Sequence, residues 1–152
     1  IGGTTDISAG QLIDRTGKRL GLAFPAGKAV DALSREAAHR DSFRVKVHDA
    51  SFSFSGLENK MNALAQQGTS PADICWFVLA SIIQGVETAT RQALEQYPGL
   101  PVLCAGGVAS NQLMRERMTQ HCGAVFAEPR YSTDNAMGTA ILTWRAHHLE
   151  RK

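Results

Sequence analysis

The chain is short of most features that settle a protein class by themselves. Only three of its 152 residues are cysteine, and Cys75, Cys104 and Cys122 are odd in number and widely spaced, in mostly apolar surroundings. That excludes a disulfide framework and gives no support to a zinc cluster, so the expectation is three buried thiols in a reducing compartment. The net charge is only +2. No basic stripe stands out that would by itself predict nucleic-acid binding. The longest nearly uncharged apolar run, ICWFVLASIIQGV from Ile74 to Val86, is too short to cross a bilayer and predicts a buried helix. No signal-peptide pattern is present, so a membrane is not an expected partner. There is no His-Glu-x-x-His or His-x-x-x-His pattern. The adjacent His147 and His148 project about 100° apart on a helix, which suits a solvated helix end better than a joint ligand pair. The chain also lacks an initiator methionine, opening IGGTTDISAG, and is expected to be a piece of a longer protein.

What is present reads as one α/β domain. Hydrophobic residues make up 43% and charged residues 20%, which argues against disorder. A chain of this length can bury roughly 70% of its unfolded surface. No repeat or linker divides it. From Asp6, a potential N-cap, helical spacing runs to Leu20 and breaks at Gly21; a second helix follows Pro25 and Gly27. Phe43, Val45 and Val47 alternate with polar residues, as do Phe52 and Phe54, predicting a hairpin with its turn near Asp49. Gly56 to Gln67 and Pro71 to Gln96 read as helices, the second with Ser70 as cap and proline next. Val102 to Ala105 has the continuous apolar pattern of a central strand covered on both faces. A helix from about Ser110 to His121, a strand from Ala124 to Ala127, the loop EPRYSTD and a helix from about Asn135 to Leu149 complete the order.

Three stretches can carry chemistry. In AGGVASN, Gly106 and Gly107 stand between strand and helix, where bare backbone either makes a tight turn or lets N–H groups and the positive helix end approach an anion. Asn111 in the first helical turn can cap the helix or offer its amide to a base or ribose. In YSTDNAMGTA, Asp134 either caps the last helix or supplies one carboxylate to a metal that handles phosphate or carbonyl oxygen. Asp14 and Asp31 flank the FPAG loop, as exposed helix acids or as acceptors for ribose hydroxyls.

Taken in order, these stretches resemble the TsaD family, the tRNA threonylcarbamoyladenosine proteins also known as O-sialoglycoprotein endopeptidases or glycoproteases. TTDISAGQLIDRTGKRLGLAFPAG is similar to the family's TxDDAAGEAFDKxAxLLGLxYPGG, FSFSGL is identical to its counterpart, AGGVASNQLMRERM resembles aGGVaaNxxLRxxl, and STDNAMGTA resembles cTDNaaMIA. The resemblance covers nearly the whole chain. It implies an actin, hexokinase and Hsp70-type (ribonuclease H-like) α/β lobe with helices on a mixed sheet, residues 1–152 being the C-terminal lobe of a two-lobed protein whose first lobe is absent.

By the same resemblance, Asp134 would be a ligand to a divalent metal, iron or zinc with magnesium possible, which two first-lobe histidines complete. Asp14, Gly27, Asp31, Gly106, Gly107 and Asn111 would line the site for ATP or threonylcarbamoyl-adenylate. No catalytic residue is assigned beyond the metal ligand. The implied reaction moves threonylcarbamoyl to the tRNA adenosine following the anticodon. It implies a cytoplasmic protein with tRNA, TsaB-like and TsaE-like partners, and a dimer is possible through exposed lobe surface. The alternative is a divergent non-catalytic paralogue that binds nucleotide or a subunit; a glycoprotein endopeptidase is less favoured, since no hydrolytic nucleophile is visible. Ile7, Gln11 and Ala26 depart from the family pattern. Ala26 adds a methyl where the backbone is expected to lie close to a ligand.

Overall fold

The longest element organises the rest. In the computed structural model, which describes residues 1–128, Ser132 and 136–149, a 26-residue helix runs from Pro71 to Gln96. It is numbered α4, after α1 (Ala9–Arg19), α2 (Gly27–Ser34) and α3 (Ser55–Gln66). The Ser70 hydroxyl caps it by accepting the Asp73 N–H, and Pro71 fills the first position, where no intrahelical donor is needed. Ile74, Cys75, Val78, Leu79, Ile82 and Ile83 are buried. Their spacing forms a broad apolar face, against which α2, α5 (Gln112–Cys122), α3 and α1 pack. By length and composition this helix could cross a membrane, but two-thirds of its most apolar stretch is buried within the fold, so it is the core helix of the fold.

Strands β1 (Gly3–Thr4), β2 (Val47–His48) and β3 (Ser51–Phe52) form a mixed sheet in the order β1-β3-β2, with β1 parallel and β2 antiparallel to β3. The predicted hairpin turn is at Asp49 and Ala50, which both take positive φ (49° and 56°). That is the pairing a two-residue turn needs to match strand twist. Only two residues of each strand pair through the ladder. Upstream of β2, side chains of α4 take over the hydrogen bonding: Ser81 Oγ accepts the Phe43 N–H at 2.8 Å and Gln84 Oε1 accepts the Val45 N–H at 2.9 Å. The arrangement is the expected one, α/β with helices packed on a mixed sheet, consistent with an actin/Hsp70-like lobe.

Three local expectations are corrected. Asp6 does not cap α1; Ser8 does, accepting the Gln11 N–H while Gln11 Oε1 accepts the Ser8 N–H, a reciprocal box that satisfies two end donors. Asp6 instead accepts N–H groups from Ile7, Phe54 and Ser55 and the hydroxyl of Ser53, tying the start of α1 to the start of α3. The strand at 102–105 is not covered on both faces. β4 (Leu103–Cys104) pairs in parallel with β5 (Val125–Phe126), and Leu103 and Val125 are 72% and 63% exposed, while Cys104 and Phe126 pack on the core. Of the three thiols only Cys75 is fully buried; Cys104 and Cys122 are half-buried, and none is bonded to another. The last helix, α6 (Ala136–Leu149), carries His147 and His148 exposed, as a helix end predicts.

Candidate functional site

The turn between α1 and α2 is built around one carboxylate. Asp14 lies on the second turn of α1, and its Oδ1 accepts the Ala26 N–H at 2.9 Å, closing the loop that contains the cis Phe24–Pro25 bond. No side chain caps α2 at Ala26, so Asp14 places negative charge at its positive end from outside. Beside this contact lies a groove of about 370 Å³, bordered by Asp14, Lys18, Leu22, Phe24 and Ala26. Ala26 does not bring its methyl toward solvent. It is buried, and a Cβ added to Gly17 would fall 2.1 Å from the Ala26 Cβ, so the alanine methyl occupies the space that the missing Gly17 side chain leaves. The extra carbon that separates FPAG from a double-glycine loop is spent on helix packing. Gly27, the first residue of α2, is exposed with open space beyond its Cα.

Asp31, one turn further along α2, reaches α5. Its Oδ1 accepts from Asn111 Nδ2 at 2.7 Å and its Oδ2 pairs with Arg35 at 2.8 Å. Asn111 caps α5, its Oδ1 accepting the Met114 N–H at 2.9 Å, so both ends of its amide are engaged. The glycine turn precedes it. Gly106 has φ 102°, a conformation that favours glycine, and both it and Gly107 face open space. The turn continues through a single 3-10 turn (Val108–Ser110), where Val108 lies against Gly10 of α1 and the buried Ser110 hydroxyl has no partner among the described residues.

Six of the predicted residues are thereby gathered by two junctions. Asp14 and Gly27 meet at the α1–α2 loop, while Asp31, Asn111 and the adjoining Gly106–Gly107 turn meet where α2 touches α5. Asp134 lies outside the described residues. One contributor to the glycine turn was not singled out in the sequence. Ser132 holds the turn by accepting the Gly106 N–H at 2.8 Å and donating to its carbonyl at 3.0 Å, and its position two residues before Asp134 was the available signal. Away from the turn, burial opposes the ionisation of Asp6, but Ser53 and the N–H groups of Phe54, Ser55 and Ile7 outweigh that and hold its carboxyl far below the usual range. A larger open groove of about 520 Å³ on α5 and β5, lined by Arg115, Glu116, Thr119, Gln120, Ala124 and Phe126, contains none of the predicted site residues.

Among the described residues, no three His, Cys, Asp or Glu side chains gather in a way that could hold a metal ion. The described residues therefore do not make a metal centre by themselves. What the junctions offer is directional acceptors, Asp14 and Asp31, next to bare backbone at Gly27 and Gly106–Gly107, a combination suited to hydroxyl donors and an anion.

Residues 1–141 match the family model described as TsaD, tRNA N6-adenosine threonylcarbamoyltransferase. Among curated proteins, the chain is 38% identical over 127 aligned positions to the tRNA N6-adenosine threonylcarbamoyltransferase of Enterococcus faecalis, covering 78% of this chain and 36% of that one. It is 32% identical over 148 positions to the Streptococcus pyogenes protein of the same name, covering 90% and 43%, and 36% identical over 127 to that of Streptococcus suis, covering 78% and 38%. The chain thus spans less than half the length of these relatives.

Proposed function

The chain belongs to the TsaD family, and from that premise we propose that it is the C-terminal lobe of a two-lobed tRNA threonylcarbamoyltransferase. The parent moves threonylcarbamoyl from its adenylate to the exocyclic amine of the tRNA adenosine following the anticodon, working in the cytoplasm with TsaB-like and TsaE-like partners. The observation that carries this is the meeting of α2 and α5 through Asp31 and Asn111 beside the Gly106–Gly107 turn, in a chain matched along 1–141. ATP or threonylcarbamoyl-adenylate lies along this wall.

Within that reading each residue has a task. Asp14 and Asp31 accept hydrogen bonds from ribose hydroxyls with the oxygen lone pairs their present bonds leave unused. Asn111 stands at the nucleoside, with its amide fixed by the α5 cap. Gly27 and the Gly106–Gly107 turn admit the ligand to the backbone, where N–H groups can meet phosphate without a side chain intervening. Holding the acyl donor in one pose against the incoming amine supplies much of the rate in a transfer of this kind. A divalent metal, iron, zinc or magnesium, would polarise carbonyl or phosphate oxygen when bound. Asp134 is the ligand proposed on this lobe, and no step is assigned through the ion.

The test uses the full-length protein. Asp134→Ala is expected to lower metal content and abolish tRNA modification with the melting temperature unchanged; normal metal content and modification reject the assignment. The lobe alone, one wall of a cleft, is expected to bind threonylcarbamoyl-adenylate too weakly for calorimetry. Micromolar affinity overturns the two-walled site. A non-catalytic paralogue is the reading that follows if the full-length protein binds adenylate but modifies no tRNA.

A further inference from the structure

Between α2 and β2 the chain carries an ordered row of cations that the site does not use. Along residues 43–48 burial alternates: Phe43, Val45 and Val47 turn inward while Arg44, Lys46 and His48 are exposed. Upstream, residues 38–42 are all exposed, Arg40 among them. The segment is pinned to α4 from several points. Besides the bonds of Phe43 and Val45 to Ser81 and Gln84, Gln92 accepts the Ala50 N–H at 2.9 Å and donates to the Val47 carbonyl. A Cβ on Gly85 would lie 3.1 Å from Val45 Cγ1, so the segment rests directly on the helix. Arg40 is held at one end, its guanidinium 4.6 Å from the centre of the Trp76 ring.

The exposed cations of the segment are Arg40, Arg44, Lys46 and His48. Asp41 and Asp49 are exposed as well, and Asp49 pairs with His48. Arg44 and Lys46 take part in no ion pair or side-chain hydrogen bond among the described residues. Alternate residues of an extended chain stand about 6.6 Å apart, so Arg44 and Lys46 present two positive charges at a step comparable with that between successive phosphates of a nucleic-acid strand. The backbone is already fixed, so less ordering cost falls on binding. The row has no outward apolar side chain to enter a lipid surface, which disfavours a membrane.

We propose that this edge binds RNA, with Arg40, Arg44 and Lys46 following the phosphodiester backbone of the tRNA substrate. The proposal rests on the reading of the parent as a tRNA-modifying enzyme and locates a contact surface for that substrate outside the adenylate wall.

The experiment titrates full-length protein with an unmodified tRNA transcript carrying adenosine after the anticodon, by fluorescence anisotropy, from about 50 to about 200 mM salt. Arg44→Gln combined with Lys46→Gln is expected to weaken binding roughly tenfold at the low-salt end and to reduce the slope of log affinity against log salt by about 1.4 to 1.8. The melting temperature and the KM for threonylcarbamoyl-adenylate stay unchanged, and the charge-preserving pair Arg44→Lys with Lys46→Arg keeps most of the slope. A folded double Gln variant with unaltered affinity and slope overturns the edge alone. Failure of the wild type to bind the transcript overturns both the edge and the tRNA reading. If poly-glutamate binds with this charge dependence while tRNA does not, the row serves an acidic protein partner and the RNA assignment is wrong.

Discussion

Asn111 and Asp31 are 80 positions apart in sequence and joined by a 2.7 Å hydrogen bond from Nδ2 to Oδ1. Because the same amide caps α5 through Met114, one side chain fixes both the start of that helix and its position against α2. Asn111→Ala should therefore cost more than an ordinary cap, about 2 kcal/mol against about 1 for the cap alone. A double-mutant cycle with Asp31→Ala, read by urea denaturation, should show coupling of about 1 to 2 kcal/mol. Strictly additive losses would mean that the bond contributes nothing.

The close approach of α1 and α2 makes Gly17 intolerant of any side chain. Alanine is the better helix former by about 1 kcal/mol, but a methyl 2.1 Å from the Ala26 Cβ cannot be placed without parting the helices. Gly17→Ala is expected to be destabilising by about 1 to 3 kcal/mol, with most of the loss recovered when Ala26→Gly is added. An unchanged denaturation midpoint in the single variant would refute this packing.

Acid should weaken the fold through Asp6 in particular. Its carboxyl is held below its unfolded value, so its contribution is complete above the ordinary carboxylate range near pH 4 and is lost as pH falls toward its folded value. Asp73 adds to the same acid limb, since the His39 N–H outweighs burial and, with the His39 ring and Ser70, brings it to about 2. Asp6→Asn should lower the urea midpoint at neutral pH and flatten its decline between about pH 5 and pH 2. A parallel decline in both proteins would remove Asp6 from the acid limb.

The thiols should separate by reactivity. Burial pushes Cys75 up to about 11, whereas Cys104 and Cys122, also raised chiefly by burial, remain half-exposed. Iodoacetamide near neutral pH, followed by peptide mass spectrometry, should modify Cys104 and Cys122 first and reach Cys75 only after denaturation. Early labelling of Cys75 would contradict its place in the core.

Local chemistry was legible where it was self-contained. Ser70-Pro71 announces the start of α4, and period-two alternation marks the segment before the Asp49 turn, because cap and pleat are decided within a few residues. Asp6 and Ser8 are both good caps two residues apart, and only the distant Ser53–Ser55 turn decides between them. The apolar run at Leu103 implied cover on both faces, but composition alone does not distinguish a covered face from one open to solvent, and Leu103 is exposed. The acids flanking FPAG were legible as a pair. That one of them reaches Asn111 was not, since contacts across 80 residues depend on how α2 and α5 pack on α4.

Helix α4 has a consequence for how the lobe comes apart. It is about 39 Å long and touches α1, α2, α3, α5, β2 and β3, so most tertiary interactions are lost together if it leaves. Its amides from Ile74 to Ile83 should be the last to exchange with deuterated solvent, doing so only on global unfolding. The β4–β5 pair, whose outer residues face solvent, can open without disturbing that axis. The wall assigned to the adenylate thus joins two units of unequal persistence: Asp14 and Asp31 stand on helices packed against the axis, and Gly106–Gly107 emerges from the pair that can part first.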